Sequence, residues 1–297
     1  MKELSRDRVY LLLIYVVAFT VGFYFGYNHA EMDSLGKYTR ATIVIVVALF
    51  IFSFLMDNSS VFDPYWSVAP FLAAGFWLYC SGVSFKSAGN HSEVVRIIIL
   101  LALLLIYGIR LTWNFIRGWK GFTQEDWRYV NFRKTTGVLY WPVSLLGIHI
   151  FPTLMVFGGS LSIYVTISRS ITPLNWLDIP AIVVTSSAIL LEAFADKQLR
   201  AYNHKNPGAV KTLDAGLWRI SRHPNYLGEI LFWWGLYLFA LAANPGSWWV
   251  IIGPVAITLM FIFASIPMME KRMMERREDY KEYRKKVPVL FPLGRRG

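Results

Sequence analysis

The chain has 297 residues, of which 55% are hydrophobic and 16% aromatic, and its formal net charge is +11. Soluble domains are rarely this apolar, so the composition predicts an integral membrane protein. The positive charge does not indicate nucleic-acid binding, because the Lys and Arg residues lie mostly in loops between apolar segments, where the positive-inside rule places them. The single cysteine, Cys80, excludes an internal disulfide and a cysteine-ligated metal cluster.

The apolar runs predict eight transmembrane helices, since ~20 apolar residues cross a bilayer core as a helix. In chain order they are Val9–Tyr27, Ala41–Met56, Trp66–Val83, Val94–Ile116, Tyr140–Ile167, Ile179–Phe194, Asn225–Leu241 and Trp248–Met268. The loops 117–139 and 195–224 and the tail from residue 269 hold most of the Lys and Arg. This bias predicts that both termini are cytoplasmic. The expected fold class is therefore an all-α polytopic bundle with seven or eight spans.

The segment before the third predicted span contains Asp63 and Pro64, followed by Tyr65 and Trp66. An Asp-Pro pair is typical of a helix start, with Asp63 as N-cap and Pro64 at the first helical position. The same carboxylate is a candidate for the wall of a cavity at the cytoplasmic mouth, with the two aromatic side chains beside it. Both interpretations stay open at this point.

The fourth predicted span carries Tyr107, Arg110, Asn114 and Arg117 at spacings of three, four and three. This spacing places all four side chains on one helical face. Snorkelling to the membrane surface explains Arg117 but not Asn114 and Tyr107 on the same face. The pattern favours the polar wall of a cavity.

The sixth predicted span ends with Glu192, Asp196 and Arg200 at i, i+4 and i+8, so these side chains also share a face. A carboxylate inside a membrane segment is a candidate functional group. The alternative is a structural ion pair between Glu192 and Arg200 or Arg222.

The seventh predicted span is preceded and begun by an unusually polar run. Its polar and aromatic members are Arg222, His223, Asn225, Tyr226 and Glu229. Hydrocarbon does not tolerate such groups unless they are buried in protein or line a polar cavity. The run therefore predicts a phosphate-bearing or otherwise charged ligand where membrane meets cytosol. A turn before a Pro-started helix is the simpler alternative. Neither a Gly-rich dinucleotide fingerprint nor a Walker A loop is present.

The run Leu213–Glu229 and the tail Glu270–Pro292 resemble the C-terminal half of the membrane steroid 5α-reductase family, and bacterial members in particular. The resemblance covers roughly residues 60–293, so we expect N-terminal helices over 1–57 and a reductase-like domain over 58–297. It implies NADPH-dependent reduction of the Δ4 double bond of a 3-oxo-steroid or similar lipid enone, by hydride transfer to C5, in a bacterial cytoplasmic membrane. Isoprenylcysteine carboxyl methyltransferases share a related Arg-His-Pro-x-Tyr pattern but use S-adenosylmethionine, and remain the alternative.

The resemblance also implies roles for individual residues. Tyr107 matches the family tyrosine that polarises the substrate ketone, and Asp63 falls where the reductases carry Glu, so we expect a proton shared between these two catalytic residues. Tyr65 and Trp66 are expected to contact the substrate. The residues expected to bind NADPH are Arg110, Asn114, Glu192, Asp196, Arg200, Lys205, Arg222, His223, Asn225, Tyr226, Glu229, Arg272 and Tyr283.

The charge of these residues bears on the choice of cofactor. NADPH carries three phosphates and S-adenosylmethionine none, so the many cations favour NADPH. The expected partners are a hydrophobic, steroid-like small molecule and membrane lipid, with no nucleic acid and no metal. A non-enzymatic sterol-binding protein is a third interpretation, against which the presence of both Tyr107 and Asp63 argues.

Overall fold

The computed structural model describes residues 2–29, 31–82, 91–208 and 210–291, and within these ranges it contains helices and no strand. The α-helices are α1 Lys2–Tyr27, α2 Ser34–Leu55, α3 Tyr65–Ser81, α4 His91–Gly118, α5 Trp127–Thr136, α6 Tyr140–Val143, α7 Phe151–Ser168, α8 Asp178–Lys205, α9 Pro224–Ala243, α10 Ile252–Met260, α11 Ile266–Arg276 and α12 Tyr280–Lys286. The predicted all-α class is confirmed, and α9 begins at Pro224 as a Pro-started helix.

Seven helical stretches in the described part of the chain are long and apolar enough to cross a membrane. Five are α1, α2, α4, α8 and α9. The other two are composite: Trp127–Ser168 joins α5 to α7, and Pro245–Arg276 contains α10 and α11. The composite helices stay continuous through π-helical turns at Ser144–Ile150 and Phe261–Ser265.

The helix α3 has 17 residues, at the lower limit of spanning length. The prediction of seven or eight spans is therefore confirmed, and the chain is an integral membrane protein. Val83, the predicted end of the third span, lies outside the described residues. The side of the membrane on which the termini lie stays a prediction.

Helices α8 and α9 pack closely because α9 presents glycines to α8. A Cβ atom on Gly228 would lie 2.8 Å from the Cβ of Glu192, and one on Gly235 would lie 2.1 Å from the Oγ1 of Thr185. Real Cβ atoms cannot approach this closely, so only glycine permits the observed distance between the two helices. The close approach brings the acidic face of α8 beside the first turns of α9.

The N-terminal helix α1 holds the loops at one end of the bundle. The Tyr15 hydroxyl donates to the carbonyl oxygens of Val61 and Phe62 at 3.1 and 3.2 Å, immediately before Asp63. The carboxylate of Asp7 accepts from the backbone N–H of Phe122 at 3.2 Å. Because these bonds link residues far apart in the chain, α1 contributes to the position of the loop that carries Asp63.

A buried ion pair joins the start of α8 to the N-terminal part of α4. The Nε and Nη2 atoms of Arg96 donate to the two carboxylate oxygens of Asp178 at 2.7 and 2.8 Å. The remaining donors of the guanidinium reach the carbonyl oxygens of Thr172 and Pro173, each at 2.8 Å. The Arg96 side chain is fully buried, and such complete pairing is what makes a buried cation tolerable.

Candidate functional site

A cavity of about 670 Å³ lies between the end of α8, the start of α9, and the helices α11 and α12, which we call the arginine cavity. Four arginines line it, namely Arg222, Arg272, Arg276 and Arg277, and no Asp or Glu of the described ranges does. Its aromatic lining consists of Trp127, Tyr202, Trp218, Tyr226, Tyr280 and Tyr283. The volume is typical of a small-molecule site. The lining suits a ligand that combines negative charge with aromatic rings.

Two polar groups of this lining lack a partner although they are buried. The Nε of Arg222 and the hydroxyl of Tyr280 have no hydrogen-bond partner within the protein, and the two residues are only 7% and 3% exposed. Buried donors without a partner are rare and unfavourable. Burial raises the pKa of both Tyr280 and Tyr283, so these phenols keep their protons at neutral pH. The walls of the cavity therefore contain buried donors that no acceptor of the protein satisfies.

The wall of the arginine cavity is assembled around Glu270 of α11. One of its oxygens lies 2.9 Å from Nη1 of Arg222 and 3.2 Å from Nε2 of His223, and the other lies 3.4 Å from Nε of Arg284. The hydroxyl of Tyr283 donates to the carbonyl oxygen of Trp218. These contacts hold α11 and α12 against the start of α9.

A polar network lies beside the cavity, between α4 and α8. The Nη2 of Arg110 lies 2.6 Å from Oε1 of Glu192, and its Nη1 lies 3.1 Å from Oδ2 of Asp196. Asn114 donates to Asp196 and accepts from Arg200. The two helical faces predicted from residue spacing therefore meet, and the ion-pair partner of Glu192 is Arg110. Arg117 stays outside the network, with its guanidinium 4.8 Å from the centre of the Trp113 ring.

A second buried group, which we call the Glu229 cluster, contains Glu229, Tyr107, Trp66 and Trp233. The Tyr107 hydroxyl and the Trp66 indole N–H each donate to Oε1 of Glu229 at 2.7 Å, and the Trp233 indole donates to the same oxygen at 2.9 Å. The ring of Tyr107 stacks on Phe232 with a centroid distance of 3.8 Å. Three donors from three helices therefore converge on one carboxylate oxygen.

The predicted hydrogen bond between Tyr107 and Asp63 is wrong. The Tyr107 hydroxyl donates to Glu229, and Asp63 instead accepts from the hydroxyl of Tyr129 at 2.5 Å, with Arg128 at 3.9 Å. The physical reason is that α9 lies against α4 here: the ring of Phe232 stacks on that of Tyr107, and this places Glu229 of the same helix within reach of the phenol.

The Asp63 carboxylate also does not cap α3, which starts after Pro64 without a side-chain cap. The short 3₁₀-helix Ser59–Phe62 ends at Asp63, and the carboxylate contacts Tyr129 of α5. Burial raises the pKa of Asp63 to about 6, although Arg128 and Tyr129 act in the opposite direction. The N-cap interpretation is therefore wrong, and Asp63 belongs to a separate tyrosine–carboxylate pair.

The remaining predicted residues divide between the sites. Arg222, His223, Asn225, Tyr226, Arg272 and Tyr283 line the arginine cavity. Trp66 belongs to the Glu229 cluster, whereas Tyr65 is 1% exposed and stacks on Phe62. Lys205 ends α8 on the exposed surface and does not line the cavity.

Sequence reasoning missed several residues of these sites. Trp233 lies four residues after Glu229, so helical spacing alone already places it on the face of that carboxylate. Nothing in the sequence marked Arg276 and Arg277 as cavity residues, because the cations of a basic tail ordinarily contact the membrane lipid. Trp127, whose ring centre lies 3.9 Å from the Arg272 guanidinium, was also not among the predicted site residues.

A second, apolar cavity of about 360 Å³ lies between α3 and α4. Its lining includes Phe71, Leu72, Leu105 and Ile109, and Gly108 lies next to Tyr107 in the chain. A Cβ atom on Gly108 would come within 2.9 Å of the Ser67 carbonyl oxygen, so glycine allows α3 to approach α4 beside Tyr107.

Comparison with known proteins gives two matches. Residues 49–287 match a family described as a protein of unknown function (DUF1295). An uncharacterised protein of Schizosaccharomyces pombe is 29% identical over 262 residues, which cover 79% of this chain and 73% of the yeast protein. No solved structure matches.

Proposed function

We propose that this chain, which belongs to the family described as a protein of unknown function (DUF1295), is an NADPH-dependent reductase that acts on a lipid enone within the membrane. The proposed reaction is reduction of the Δ4 double bond of a 3-oxo-steroid or a similar lipid, with the hydride added at C5. The observation that carries the proposal is the arginine cavity, which is lined by four arginines, one of them paired with Glu270, together with a buried tyrosine, Tyr107, that donates to a carboxylate.

The charge of the cavity favours NADPH over S-adenosylmethionine. Arginine suits phosphate because its planar guanidinium donates in a fork that matches phosphate oxygens. S-adenosylmethionine has no phosphate and carries a positive sulfonium, which four arginines would repel.

Helix α9 connects the cofactor cavity with the proposed reaction site. Asn225 and Tyr226 line the cavity, and Glu229, one helical turn later, accepts from Tyr107. When bound, NADPH would supply the hydride for the reduction. Tyr107 would donate to the substrate oxygen as negative charge develops there, and a donor aimed at such charge in a dry site contributes roughly 2.7–4 kcal/mol.

The environment of these groups supports an apolar substrate. The apolar cavity between α3 and the membrane-spanning helix α4 is lined in part by Ser67 and Gly108, which directly follow Trp66 and Tyr107 in the chain. A steroid-like lipid partitions into the bilayer and can reach such a cavity laterally. The basic loops at the cofactor end favour a cytosolic position for that end, and we propose the bacterial cytoplasmic membrane as the location.

The test is to purify the protein in detergent and identify the retained nucleotide by mass spectrometry. NADPH consumption is measured in parallel with progesterone and testosterone as substrates. Copurified NADP(H) with a 5α-reduced product would establish the reductase. Bound S-adenosylmethionine, or its demethylated product, would instead establish the methyltransferase and overturn the proposal.

A further inference from the structure

We propose that residues 267–287, which contain α12 and nearly all of α11, form a flap that swings about the π-helical turn Phe261–Ser265 and closes over the nucleotide. The proposal rests on the proposed function, because it takes the arginine cavity as the nucleotide site. Most residues from Glu270 to Lys286 are charged, so the flap extends beyond the apolar part of its helix. It forms one wall of the cavity, opposite the end of α8 and the start of α9.

The hinge is a break in the hydrogen bonding of the last composite helix. The backbone N–H of Ile266 donates to the carbonyl oxygen of Phe261, five residues earlier. Pro267 follows directly and has no N–H, so the usual bond four residues back cannot form there. Helices bend where a proline and a π-helical turn interrupt the bonding in this way. Before the break, the Phe261 ring packs against Tyr226 with a centroid distance of 5.0 Å, which fixes that side of the hinge.

Beyond the hinge, the flap contributes little to the apolar core. The buried residues of α11 are Ile266 and Glu270, so the one that lies past the hinge is a carboxylate. Every residue from 267 to 289 is described, and none belongs to the main apolar core, which resumes at Leu290. The flap instead has a small apolar cluster of its own, formed by Met273, Tyr280, Tyr283 and Val287. Few buried apolar contacts with the rest of the protein imply a low free energy of local opening.

Polar contacts hold the flap against the other wall. One oxygen of Glu270 lies 2.9 Å from Nη1 of Arg222 and 3.2 Å from Nε2 of His223. The guanidinium of Arg272 lies 3.9 Å from the centre of the Trp127 ring. Opening the flap returns these charged groups to water, which repays much of what breaking the contacts costs. The contacts therefore suit a closure that opens reversibly.

Two further attachments limit the motion. The backbone N–H of Arg222 donates to the carbonyl oxygen of Pro288 at 2.9 Å, directly after the flap. Asp279 accepts from the backbone N–H of Thr212 at 2.8 Å, and the two residues before Thr212 are exposed. The motion is therefore a tilt of the flap between two fixed ends, together with the loop 210–212, and not a release of the whole tail.

The charge of the cavity makes the flap responsive to an anionic ligand. Arg272, Arg276 and Arg277 belong to the flap, and all three line the cavity. Arg222 lies on the opposite wall, so cations repel each other across the cavity, and Glu270 offsets part of this repulsion. Phosphate oxygens between the two walls would replace repulsion by attraction. A ligand that binds the closed state better shifts the population toward that state.

The first experiment measures amide hydrogen exchange of the full chain in detergent, with and without NADP⁺. Without nucleotide, we expect the amides of residues 267–287 to exchange together and faster than those of α9. Saturating NADP⁺ should slow their exchange about tenfold or more, because binding stabilises the closed state. Exchange as slow as that of α9 without nucleotide would overturn the flap. Bound NADP⁺ that leaves the exchange of these residues unchanged would overturn it too.

The variant Pro267→Ala tests the hinge, because alanine restores an N–H and stiffens the break. Association and dissociation of NADP⁺ are followed by tryptophan fluorescence, since Trp127 and Trp218 line the cavity. We expect both rates to fall about threefold or more and the dissociation constant to change less, as for binding that requires a conformational change.

Pro152→Ala is the matched control for the hinge. Pro152 also directly follows a residue, Phe151, whose N–H donates five residues back, but it does not line the arginine cavity. This variant should bind and release NADP⁺ at the rates of the wild type. Equal rates in Pro267→Ala and Pro152→Ala would overturn the hinge.

The variant Glu270→Gln tests the contacts that close the flap, because glutamine keeps the shape of the side chain without its charge-assisted bonds. We expect the dissociation rate of NADP⁺ and the exchange of the nucleotide-free flap to rise about threefold or more, while exchange in α4 stays unchanged. An equal rise of exchange in α4 and in the flap would show a general loss of stability and overturn the role of Glu270.

A wild-type protein that does not bind NADP⁺ would overturn the proposed function, and with it the nucleotide as the ligand of the flap. The hinge is then decided by exchange in the nucleotide-free protein. Exchange in residues 267–287 that is faster than in α9, and that Pro267→Ala slows but Pro152→Ala does not, supports the hinge. Exchange that is equal in the flap and in α9 overturns it.

Discussion

The Nη2 atom of Arg110 lies 2.6 Å from Oε1 of Glu192, and this ion pair joins α4 to α8 within the membrane-spanning part of the protein. Both side chains are largely buried, at 14% and 6% exposure. Arg110 also reaches Asp196 at 3.1 Å, so one guanidinium faces two carboxylates. The Arg110 guanidinium also lies 6.0 Å from the centre of the Tyr107 ring, so the pair adjoins the Glu229 cluster.

Replacing Arg110 with Met should destabilise the protein by about 3–5 kcal/mol, because it leaves buried carboxylates without their cation. The measurement is thermal or denaturant unfolding in detergent. Arg110→Lys is the conservative control and should recover part of the loss, since it keeps the charge without the fork of donors. Wild-type stability in Arg110→Met would show that the pair does not hold the helices together.

Replacing Arg96 with Met should also destabilise the protein by about 3–5 kcal/mol, since Asp178 would remain as a buried charge without a partner. The double variant Arg96→Met, Asp178→Leu removes both charges and should recover much of this stability. Unfolding in detergent measures both. A double variant that is less stable than Arg96→Met would contradict the ion-pair explanation.

Replacing Arg272 with Ala should weaken NADPH binding about tenfold or more, since a hydrogen bond to a charged group contributes roughly 1.5–3 kcal/mol. Calorimetry measures the affinity. The affinity of the wild type should itself fall as salt is added, because salt screens the attraction between arginine and phosphate. Lys286→Ala is the control, because Lys286 is exposed on α12 and does not line the arginine cavity. Equal affinities in the two variants would place the phosphates elsewhere.

The raised pKa of Asp63, about 6, predicts a pH-dependent contribution to stability. Between about pH 4 and pH 6 the folded state binds a proton that the unfolded state has lost. Linkage then makes stability fall as the pH rises through this window and level off above it. Melting temperature as a function of pH measures the effect. Asp63→Asn should remove this component, and an unchanged pH profile in the variant would contradict it.

Replacing Gly228 with Ala should destabilise the protein by about 1–3 kcal/mol, because the new methyl group would lie 2.8 Å from the Cβ of Glu192. Displacing α9 from α8 should also disturb the bond between Tyr107 and Glu229. Gly75→Ala is the matched control in α3, since nothing lies within 4 Å of its added Cβ. Equal losses of stability in Gly228→Ala and Gly75→Ala would argue against a close approach of α9 to α8 at Gly228.

Much of the candidate site was predictable because its signals are local in the chain. Spacings of three and four residues placed Tyr107, Arg110 and Asn114 on one face, and Glu192 and Asp196 on another. Both faces are found in contact. Asn225 and Tyr226 were predictable as cavity residues because polar groups at the mouth of an apolar helix need a polar environment.

The partners of these residues were not predictable in the same way. Tyr107 meets Glu229 across 122 positions of sequence, and Asp63 meets Tyr129 across 66. Several carboxylates were available to Tyr107, and residue spacing within one helix does not rank them. The choice depends on how far each helix is rotated about its axis and how closely it packs.

The sequence by itself therefore determined the membrane class, the helical class, a range of seven or eight spans and the polar faces of α4 and α8, because hydropathy and periodicity are properties of consecutive residues. Only the tertiary structure decided that Glu229 and not Asp63 receives the Tyr107 proton, and that α11 and α12 fold back to bring Arg276 and Arg277 to the cavity. The physical reason is that these contacts follow from helix packing, which small residues such as Gly228 set through distances between segments far apart in the chain.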